Sequence, residues 1–450
     1  MNSEDETKTG TEYTHNPMHQ VHLLREGIQL GKKPLGIMLG AGCPLAIRIP
    51  ANSKNDPSEA GEGNELADEL SGTYPLIPDI PEMTDRVIAN LKQSDEHKAG
   101  VTTLVNQLSE SHDNANIEDY LTHLRTLISI SGGDEVRGLQ ATEMESLEIA
   151  ISDQIYELVN VSLPAQKGPY HQLAQWIGAA TREHGVELFT TNYDLLIEEA
   201  LEEMRIPYFD GFIGAREPFF DPFAIDEEEM PSRWAGLWKL HGSISWKQDI
   251  ESKRVSRGDP SQINERERRL IHPSHLKYDE SRRMPYLAMF DRLKAFIRRS
   301  SSLLVTVGFS FDDEHLNEVI RQGLERNTSA HCFGLLFGRL SDHKKAIALA
   351  DRRSNLSLLA QDEAVIGARR SRYPAKPSEE IEQPSSPEVT WDSLSEATNG
   401  GDAGKTEQPD ALRAHFRLGD FALFGSFLED MIGPRSGLDG RYLGGAASES

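Results

Sequence analysis

Short apolar runs alternate along the chain with longer stretches in which apolar residues recur every three or four positions. The short runs indicate buried strands and the longer stretches indicate covering helices, which is typical of a parallel sheet with helices on its faces. The pattern therefore predicts an α/β protein with a Rossmann-like, mostly parallel sheet. The predicted strands are residues 35–39, 186–189, 237–240, 303–307 and 332–337.

The long interval between the first two predicted strands has helical spacing, and it predicts a large helical insertion at about residues 66–185. Ser131-Gly132-Gly133-Asp134 divides this insertion into at least two helices, because paired glycines are poor helix interior. The clearest helical stretches are residues 87–91, 117–128, 144–161 and 170–180.

The sequence changes character after residue 368. Residues 369–410 are rich in Pro, Ser, Glu, Thr and Gly and hold few apolar residues, so they are predicted to form a low-complexity linker or long loop. Residues 411–432 regain helical spacing with several phenylalanines and predict a C-terminal helix. Two interpretations of this helix stay open: docking on its own domain, or an assembly contact. The predicted organisation is an N-terminal arm (1–34), an α/β domain (35–368), the linker, and a C-terminal helix and tail (411–450).

Charge and cysteine content exclude several classes of protein. The chain has 47 Lys and Arg residues against 72 Asp and Glu, a formal net charge of -25, which argues against a general binder of nucleic acid or anionic membranes. Two cysteines, Cys43 and Cys332, are too few for a disulfide scaffold or a four-cysteine zinc site. The polar, acidic start lacks a secretory signal, and no apolar run approaches the roughly 20 residues of a membrane span. We therefore expect a cytoplasmic protein.

Four polar turns follow four of the predicted strands, at the edge where ligands bind in open parallel sheets. The turns are Gly40-Ala41-Gly42-Cys43, Thr190-Thr191-Asn192-Tyr193-Asp194, His241-Gly242-Ser243 and Gly308-Phe309-Ser310-Phe311-Asp312-Asp313. Glycines in such a turn allow backbone N–H groups to approach a pyrophosphate without a Cβ clash. Each turn alone has an ordinary interpretation, since Asn192, Asp194 or Asp313 could cap the following helix. Together the four turns predict one ligand-binding crevice.

The order of these motifs resembles that of the SIR2 (sirtuin) superfamily. The matching residues are Gly40-Ala41-Gly42-Cys43 with Ile49-Pro50, Thr191-Asn192-Tyr193-Asp194, His241-Gly242 and Gly308-Phe309-Ser310. Their forms are more similar to those of the bacterial SIR2-like NADases of antiphage defence than to those of the deacylating sirtuins. The latter carry a zinc ribbon of two Cys-x-x-Cys pairs, which two distant cysteines cannot build, so protein deacetylation and a zinc ion are not expected.

Three residues match positions with catalytic roles in the family. Asn192 matches the amide that orients the ribose and the attacking water, and Asp194 matches the acid that holds the nicotinamide carboxamide. His241, with an ordinary pKa of about 6.5, suits a base that acts on a ribose hydroxyl or on water. The resemblance thus implies that residues 35–368 are a SIR2-like NAD-binding domain that hydrolyses NAD+ to nicotinamide and ADP-ribose.

Other positions are implied to bind NAD+, which is the substrate here. They are Gly40, Ala41, Gly42 and Cys43 at the pyrophosphate, Gly308 and Ser310 on the adenosine side, and Thr191 and Arg48. Arg48 is included because the net negative charge of the chain does not attract an anionic dinucleotide. No metal ligand is implied.

An enzyme that drains NAD+ must be held inactive until it is needed, so we expect control by a partner or by a homo-oligomer. In size and layout the chain is similar to the SIR2 subunit of SIR2–HerA defence systems, which implies a HerA-type hexameric ATPase as partner. Two alternatives stay open. Basic residues between Arg266 and Arg299 suggest a nucleic-acid-acting subunit, although interspersed acidic residues argue against direct DNA binding. A non-catalytic NAD or ADP-ribose sensor on the same fold is the second.

Overall fold

The computed structural model describes residues 13–50, 72–109, 115–226, 230–249, 251–252, 254–263, 284–377, 386–393 and 411–433. The strands are β1 (Leu35–Leu39), β2 (Arg48–Pro50), β3 (Thr73–Pro75), β4 (Glu187–Thr190), β5 (Tyr208–Phe209), β6 (Phe212–Ile213), β7 (Phe219–Phe220), β8 (Ala235–Lys239), β9 (Trp246–Gln248), β10 (Val255–Arg257), β11 (Leu303–Val307), β12 (His331–Leu335), β13 (Leu356–Leu359), β14 (Glu363–Ile366), β15 (Arg369–Arg372), β16 (Ala375–Pro377), β17 (Val389–Ser393) and β18 (Ala411–Phe416).

The α-helices are α1 (Pro17–Gln29), α2 (Gly42–Leu45), α3 (Ile80–Gln93), α4 (Lys98–Ser109), α5 (Ile117–Ser131), α6 (Ala141–Val159), α7 (Pro169–Ala179), α8 (Leu196–Glu203), α9 (Pro222–Asp226), α10 (Tyr286–Arg298), α11 (Glu314–Arg326), α12 (Lys344–Ala350) and α13 (Phe421–Asp430). Within the part of the chain that the structure describes, none of these helices has both the length and the apolar character that a membrane span requires.

A nine-stranded sheet forms the centre of the protein, with the order β15-β14-β13-β12-β11-β1-β4-β8-β5. The seven neighbouring strands from β13 to β5 are parallel, and β14 and β15 add an antiparallel edge. Every residue of β1, β4, β8 and β11 is buried, because helices cover both faces of the sheet. The predicted α/β fold class is confirmed, and all five predicted strands are present with ends displaced by at most two residues.

The interval between β3 and β4 contains the five helices α3 to α7. Helix α5 ends at Ser131, and Gly132 follows it in the left-handed conformation with φ of 57°. Glycine adopts this conformation without a Cβ penalty, which is why the paired glycines end the helix where the sequence predicted a break. A short antiparallel hairpin of β2 and β3, which the sequence pattern did not predict, leads into the insertion.

Part of the predicted N-terminal arm belongs to the folded body. Residues 17–29 form α1, whose Leu24 and Ile28 are fully buried. The guanidinium of Arg25 binds Glu388 at 2.9 Å and lies over the ring of Phe427, 4.7 Å from its centroid. Helix α1 therefore ties the start of the described chain to two elements near its end. The limits predicted for the domains stay predictions.

The prediction of a linker at 369–410 is wrong for the residues of this segment that the structure describes. They form β15, which pairs with β14, and β16 and β17, which flank β18 in a three-stranded antiparallel sheet. Val389 is buried and Trp391 packs against the main core. A strand needs an apolar residue only at every second position, so these two side chains suffice to dock β17. Residues 378–385 and 394–410 lie outside the described residues.

The predicted C-terminal helix is wrong for its first half, which is strand β18. Ala414, Phe416 and Leu418 are buried with a period of two, which is the spacing of a strand. The second half is α13, whose phenylalanines are buried against the protein's own helix α7, with Phe421 edge-on to Tyr170 at 4.9 Å. The helix therefore docks on its own chain, and a role of the C-terminal region in assembly stays a prediction.

Candidate functional site

A cavity of about 770 Å³ opens at the carboxyl ends of the parallel strands. After β1 the chain builds β4 and β8 on one side of β1, and later β11 and β12 on the other, so the strand order reverses at β1. Ligands bind at this switch point in open α/β sheets. The cavity is lined by all but three of the predicted site residues: Ala41, Gly42, Thr191, Asn192, Asp194, His241, Gly308 and Ser310.

The glycine turns after β1 and β11 pack directly against each other. A Cβ on Gly40 would lie 2.2 Å from the carbonyl oxygen of Gly308, and a Cβ on Gly308 would lie 2.6 Å from the backbone nitrogen of Cys43. Gly308 also has φ of +63°, a conformation that favours glycine. Both positions therefore require glycine for the two turns to approach, and Gly40 supports the cavity without lining it.

The backbone amides of the first glycine turn donate hydrogen bonds within the protein. Gly40 N donates to Val307 O at 3.0 Å, Gly42 N to Gly308 O at 2.9 Å and Cys43 N to Gly40 O at 3.0 Å. These hydrogen bonds fasten the turn to β11 and to itself, and the predicted contact of the turn with a pyrophosphate stays a prediction.

Cys43 and Arg48 do not line the cavity. Cys43 is fully buried, and its Sγ donates a hydrogen bond to Val307 O at 3.4 Å. Burial raises the pKa of this thiol well above its ordinary value, so Cys43 is a neutral packing residue. The Arg48 guanidinium donates to Thr73 O at 3.0 Å across the hairpin of β2 and β3. Cys43 thus packs the turn and Arg48 joins β2 to β3, while their predicted contact with the ligand stays a prediction.

Asn192 connects the turns after β4 and β1. Its side chain is 9% exposed, and Nδ2 donates to Gly40 O at 3.1 Å while its backbone nitrogen donates to Thr190 Oγ1 at 3.0 Å. The first of these hydrogen bonds fixes the amide group in one orientation at the cavity wall. The amide is thus held in place before any ligand arrives.

Asp194 both caps a helix and lines the cavity. Its Oδ1 accepts a hydrogen bond from Leu196 N at 3.1 Å at the start of α8, and the residue is 4% exposed. Burial raises the pKa of this carboxyl, and the nearby ammonium of Lys239 opposes that effect without cancelling it. The ordinary capping interpretation and the predicted ligand contact are therefore compatible at this residue.

His241 forms a buried pair with Asp313. His241 Nε2 lies 2.9 Å from Asp313 Oδ2, and Asp313 Oδ1 accepts from His315 N and Leu316 N at the start of α11. Burial by itself lowers the pKa of His241, but the hydrogen bond and charge of Asp313, together with the charge of Glu118, raise it above its ordinary value. For Asp313 the effects are reversed: burial by itself raises the pKa of its carboxyl, but the hydrogen bond and charge of His241 hold that pKa well below its ordinary value. The turns after β8 and β11 are therefore joined by a hydrogen-bonded histidine–aspartate pair at the cavity.

Glu118 is a cavity residue that the sequence patterns did not reveal. It lies in the first turn of α5, and its Oε1 accepts a hydrogen bond from the hydroxyl of Tyr193 at 3.3 Å. Asn116 and Asp119 form a capping box there, which is a sequence signature of a helix start. That signature could place the start of α5, but nothing in it places the helix over the β4 turn.

The insertion also supplies much of the apolar wall of the cavity. Apolar residues from the segment around α3 and from α5 and α6 line it: Ile77, Pro78, Ile80, Pro81, Met83, Ile117, Ile155 and Val159. Apolar walls keep water away from a bound ligand and strengthen charge interactions inside the site. The insertion therefore completes the cavity that the sheet begins.

Cations are scarce around the cavity. Among the described residues that line it, Lys345 is the only lysine or arginine, and its Nζ donates to Asp312 O at 3.0 Å. Within the described ranges, no three His, Cys, Asp or Glu side chains are grouped so that they could hold a metal ion.

The fold and the cavity define an α/β protein with a ligand site at the switch point of a parallel sheet. Residues 186–357 match the family model of the SIR2-like domain. The match includes the turns after β4, β8 and β11 and begins after the first glycine turn. No curated protein sequence matches the chain.

Three solved structures match the chain at low sequence identity and low TM-score. The first is a structure that concerns the mechanism and regulation of Sir2 enzymes. It is 12% identical to this chain, the match covers 72% of this chain and 88% of that chain, and the TM-score is 0.29. A Sir2 homologue variant in complex with ADP-ribose is 14% identical, with coverages of 71% and 87% and a TM-score of 0.27. A complex of a Sir2 homologue with NAD is 13% identical, with coverages of 77% and 90% and a TM-score of 0.28.

Proposed function

We propose that the cavity binds NAD+ and that the protein hydrolyses its nicotinamide N-glycosidic bond, releasing nicotinamide and ADP-ribose. One observation carries this proposal: Asn192, Asp194 and His241 converge beside two packed glycine turns in one cavity. They do so in a chain whose residues 186–357 match the SIR2-like domain model.

The chemistry of the bond fits the groups in the cavity. The pyridinium of NAD+ leaves as neutral nicotinamide, so the site does not have to protonate it. The site must instead hold the ribose, keep bulk water out and position one water molecule while positive charge develops at the ribose carbon. The held amide of Asn192 suits the ribose and that water, and the buried carboxyl of Asp194 suits the nicotinamide carboxamide.

His241 suits the role of a base at this site. Its Nε2 is engaged by Asp313, which leaves Nδ1 as the ring nitrogen that can take a proton from a ribose hydroxyl or from water. The imidazole must be neutral for this, and its pKa lies above the ordinary value. We therefore expect hydrolysis to increase as the pH rises through that raised pKa.

The pyrophosphate needs a partner other than the three amides that are bonded within the turns. Ser310 and Lys345 both line the cavity on the β11 side, where a hydroxyl and an ammonium suit anionic oxygens. We assign the pyrophosphate to this side of the cavity.

We further propose that this activity serves antiphage defence by NAD+ depletion, and that a homo-oligomer assembled with a HerA-type ATPase controls it. The motif forms and the layout of the chain support this, since both are similar to the SIR2 subunit of such systems. The apolar face of α13 is buried in its own chain, so the assembly would use other surfaces.

Chromatography of NAD+ after incubation with the pure chain, alone and with a HerA-type ATPase, tests the proposal. We expect nicotinamide and ADP-ribose in equal amounts. Saturable NAD+ binding without nicotinamide release, even with the ATPase present, would favour a non-catalytic sensor.

The nucleic-acid alternative has weak support from the described part of the basic cluster. Arg292 and Arg299 both bind Glu187, and Lys294 binds Asp291, so these cations are already paired. Arg266, Arg268, Arg269, Lys277, Arg282 and Arg283 lie outside the described residues. Salt-dependent DNA binding by the isolated chain would revive this alternative.

A further inference from the structure

A buried lysine beneath the cavity joins two of the turns that form it. Lys239 is the last residue of β8, two positions before His241, and it is 2% exposed. Its Nζ donates hydrogen bonds to the backbone carbonyl of Asp194 and to Glu198 Oε1, the latter at 2.9 Å. The ammonium therefore extends from the strand that precedes His241 to the turn that carries Asn192 and Asp194. Lys239 does not itself line the cavity.

Backbone hydrogen bonds hold the same two turns together at other points. Leu240 N donates to Thr190 O at 2.8 Å, and Ile244 N donates to Tyr193 O at 3.0 Å. The Lys239 ammonium adds a contact at Asp194, where the turn enters α8. Asp194 is the residue whose carboxyl lines the cavity, so this contact acts where the position of the turn matters most.

The charges around Lys239 are poorly arranged for stability alone. Two buried carboxyls, Asp194 and Glu198, share this one ammonium, and burial raises the pKa of both. Among the described residues, Glu198 Oε2 has no hydrogen-bond partner. A buried ion pair with an unsatisfied oxygen is often no more stable than apolar side chains of similar size. Packing therefore does not account for a lysine at this position.

We infer that Lys239 is a positioning residue, which fixes the turn carrying Asn192 and Asp194 relative to His241 by binding the Asp194 carbonyl. Glu198 neutralises the ammonium and anchors it to α8. The catalytic part of this inference rests on the proposed NAD+ hydrolysis. The structural part concerns the turn alone and can be measured without any activity.

The test compares Lys239→Met, the double variant Lys239→Met with Glu198→Gln, and the control Lys294→Met, which removes an exposed ammonium paired with Asp291. Backbone hydrogen–deuterium exchange at residues 190–195, the melting temperature, and the kcat of nicotinamide release are measured for each. We expect Lys239→Met to speed exchange at 190–195 and to lower kcat by about tenfold or more. The double variant recovers part of the melting temperature, because Glu198 no longer carries an unpaired charge although Asp194 has still lost its nearby ammonium. It recovers neither exchange protection nor kcat. Lys294→Met behaves as the wild type.

Two results would overturn the inference. One is wild-type exchange protection at residues 190–195 in both Lys239 variants, and the other is recovery of kcat together with the melting temperature in the double variant. If the wild type releases no nicotinamide, alone or with a HerA-type ATPase, the proposed function fails. The exchange measurement still decides whether Lys239 holds the turn.

Discussion

Buried charges lie at both ends of the parallel strands, and the two sets are arranged differently. At the amino end, Glu187 accepts hydrogen bonds on both oxygens from Arg292, and further bonds from Arg299 and from Trp238 Nε1, all at 2.8–3.0 Å. At the carboxyl end, beside an open cavity, the one ammonium of Lys239 binds the Glu198 carboxylate and the Asp194 backbone carbonyl, and it is also the nearby counter-charge of the buried Asp194 carboxyl. A fully satisfied cluster stabilises a fold, whereas undercompensated charges beside a cavity are typical of a site that waits for a ligand.

The largest expected effect is a loss of unfolding free energy at the amino end of the strands. Glu187→Gln leaves two guanidiniums without their counter-charge in a buried setting, which costs about 3 to 5 kcal/mol of unfolding free energy. Denaturant unfolding measures this loss. Nicotinamide release per folded molecule should match the wild type, because Glu187 does not line the cavity. A loss of unfolding free energy below about 1 kcal/mol would show that the cluster is not structural.

The next largest expected effect is the loss of catalytic rate in His241→Ala, at the carboxyl end of the strands. Removing the base should lower the kcat of nicotinamide release by about a hundredfold, which corresponds to about 2.7 kcal/mol of activation free energy. Circular dichroism should show the wild-type fold. NAD+ consumption by the purified variant at the wild-type rate would refute the role of His241.

Asp313→Asn should lower kcat by about tenfold and shift the pH profile. Asp313 and Glu118 are the acidic groups that raise the pKa of His241, so a neutral side chain at 313 lowers it. The acidic limb of kcat/KM then moves to lower pH, because a base with a lower pKa is neutral at lower pH. An acidic limb at the wild-type pH would contradict the pairing.

The pair of His241 and Asp313 also predicts how the unfolding free energy changes with pH. The raised pKa of His241 contributes stability that is fully present below its ordinary pKa of 6.5 and is lost as the pH rises through the folded value. Asp313→Asn should therefore lower the unfolding free energy more at pH 6 than at pH 9, at a level of about 1 kcal/mol. Equal losses at both pH values would argue against a charged pair in the folded state.

Glu118→Gln should have the smallest effect. The amide oxygen of glutamine can still accept the hydrogen bond from Tyr193, so this contact is kept while the negative charge is lost. We expect a shift of the acidic limb in the same direction as for Asp313→Asn but smaller, with kcat changed by less than about threefold. The kcat/KM profile measured against pH checks this. A shift to higher pH would show that Glu118 does not act on His241 through its charge.

The cavity could be predicted from the sequence to the extent that strand topology forms it. Polar turns after parallel strands must meet at one sheet edge, which is why Asn192, Asp194 and His241 were found together. Glu118 and Lys345 were missed because they reach the cavity from helices far away in sequence. The packing contact of Cys43 depends on a hydrogen bond to the end of β11, which no pattern in the sequence reveals.

The errors near the C-terminus have a different cause. Strands β15, β17 and β18 are short and lie in or next to a polar, low-complexity sequence. Only a few alternating apolar residues, such as Val389, Ala414 and Phe416, dock them on a core formed elsewhere. Composition averaged over the segment hides a period-two signal of this length.

One measurement tests the central claim most directly: the release of nicotinamide from NAD+, followed by chromatography and normalised to folded protein. It compares the wild type, Asn192→Ala and Glu187→Gln side by side. The account predicts equal release by the wild type and Glu187→Gln and about a hundredfold less by Asn192→Ala. Release by Asn192→Ala at the wild-type rate would contradict it.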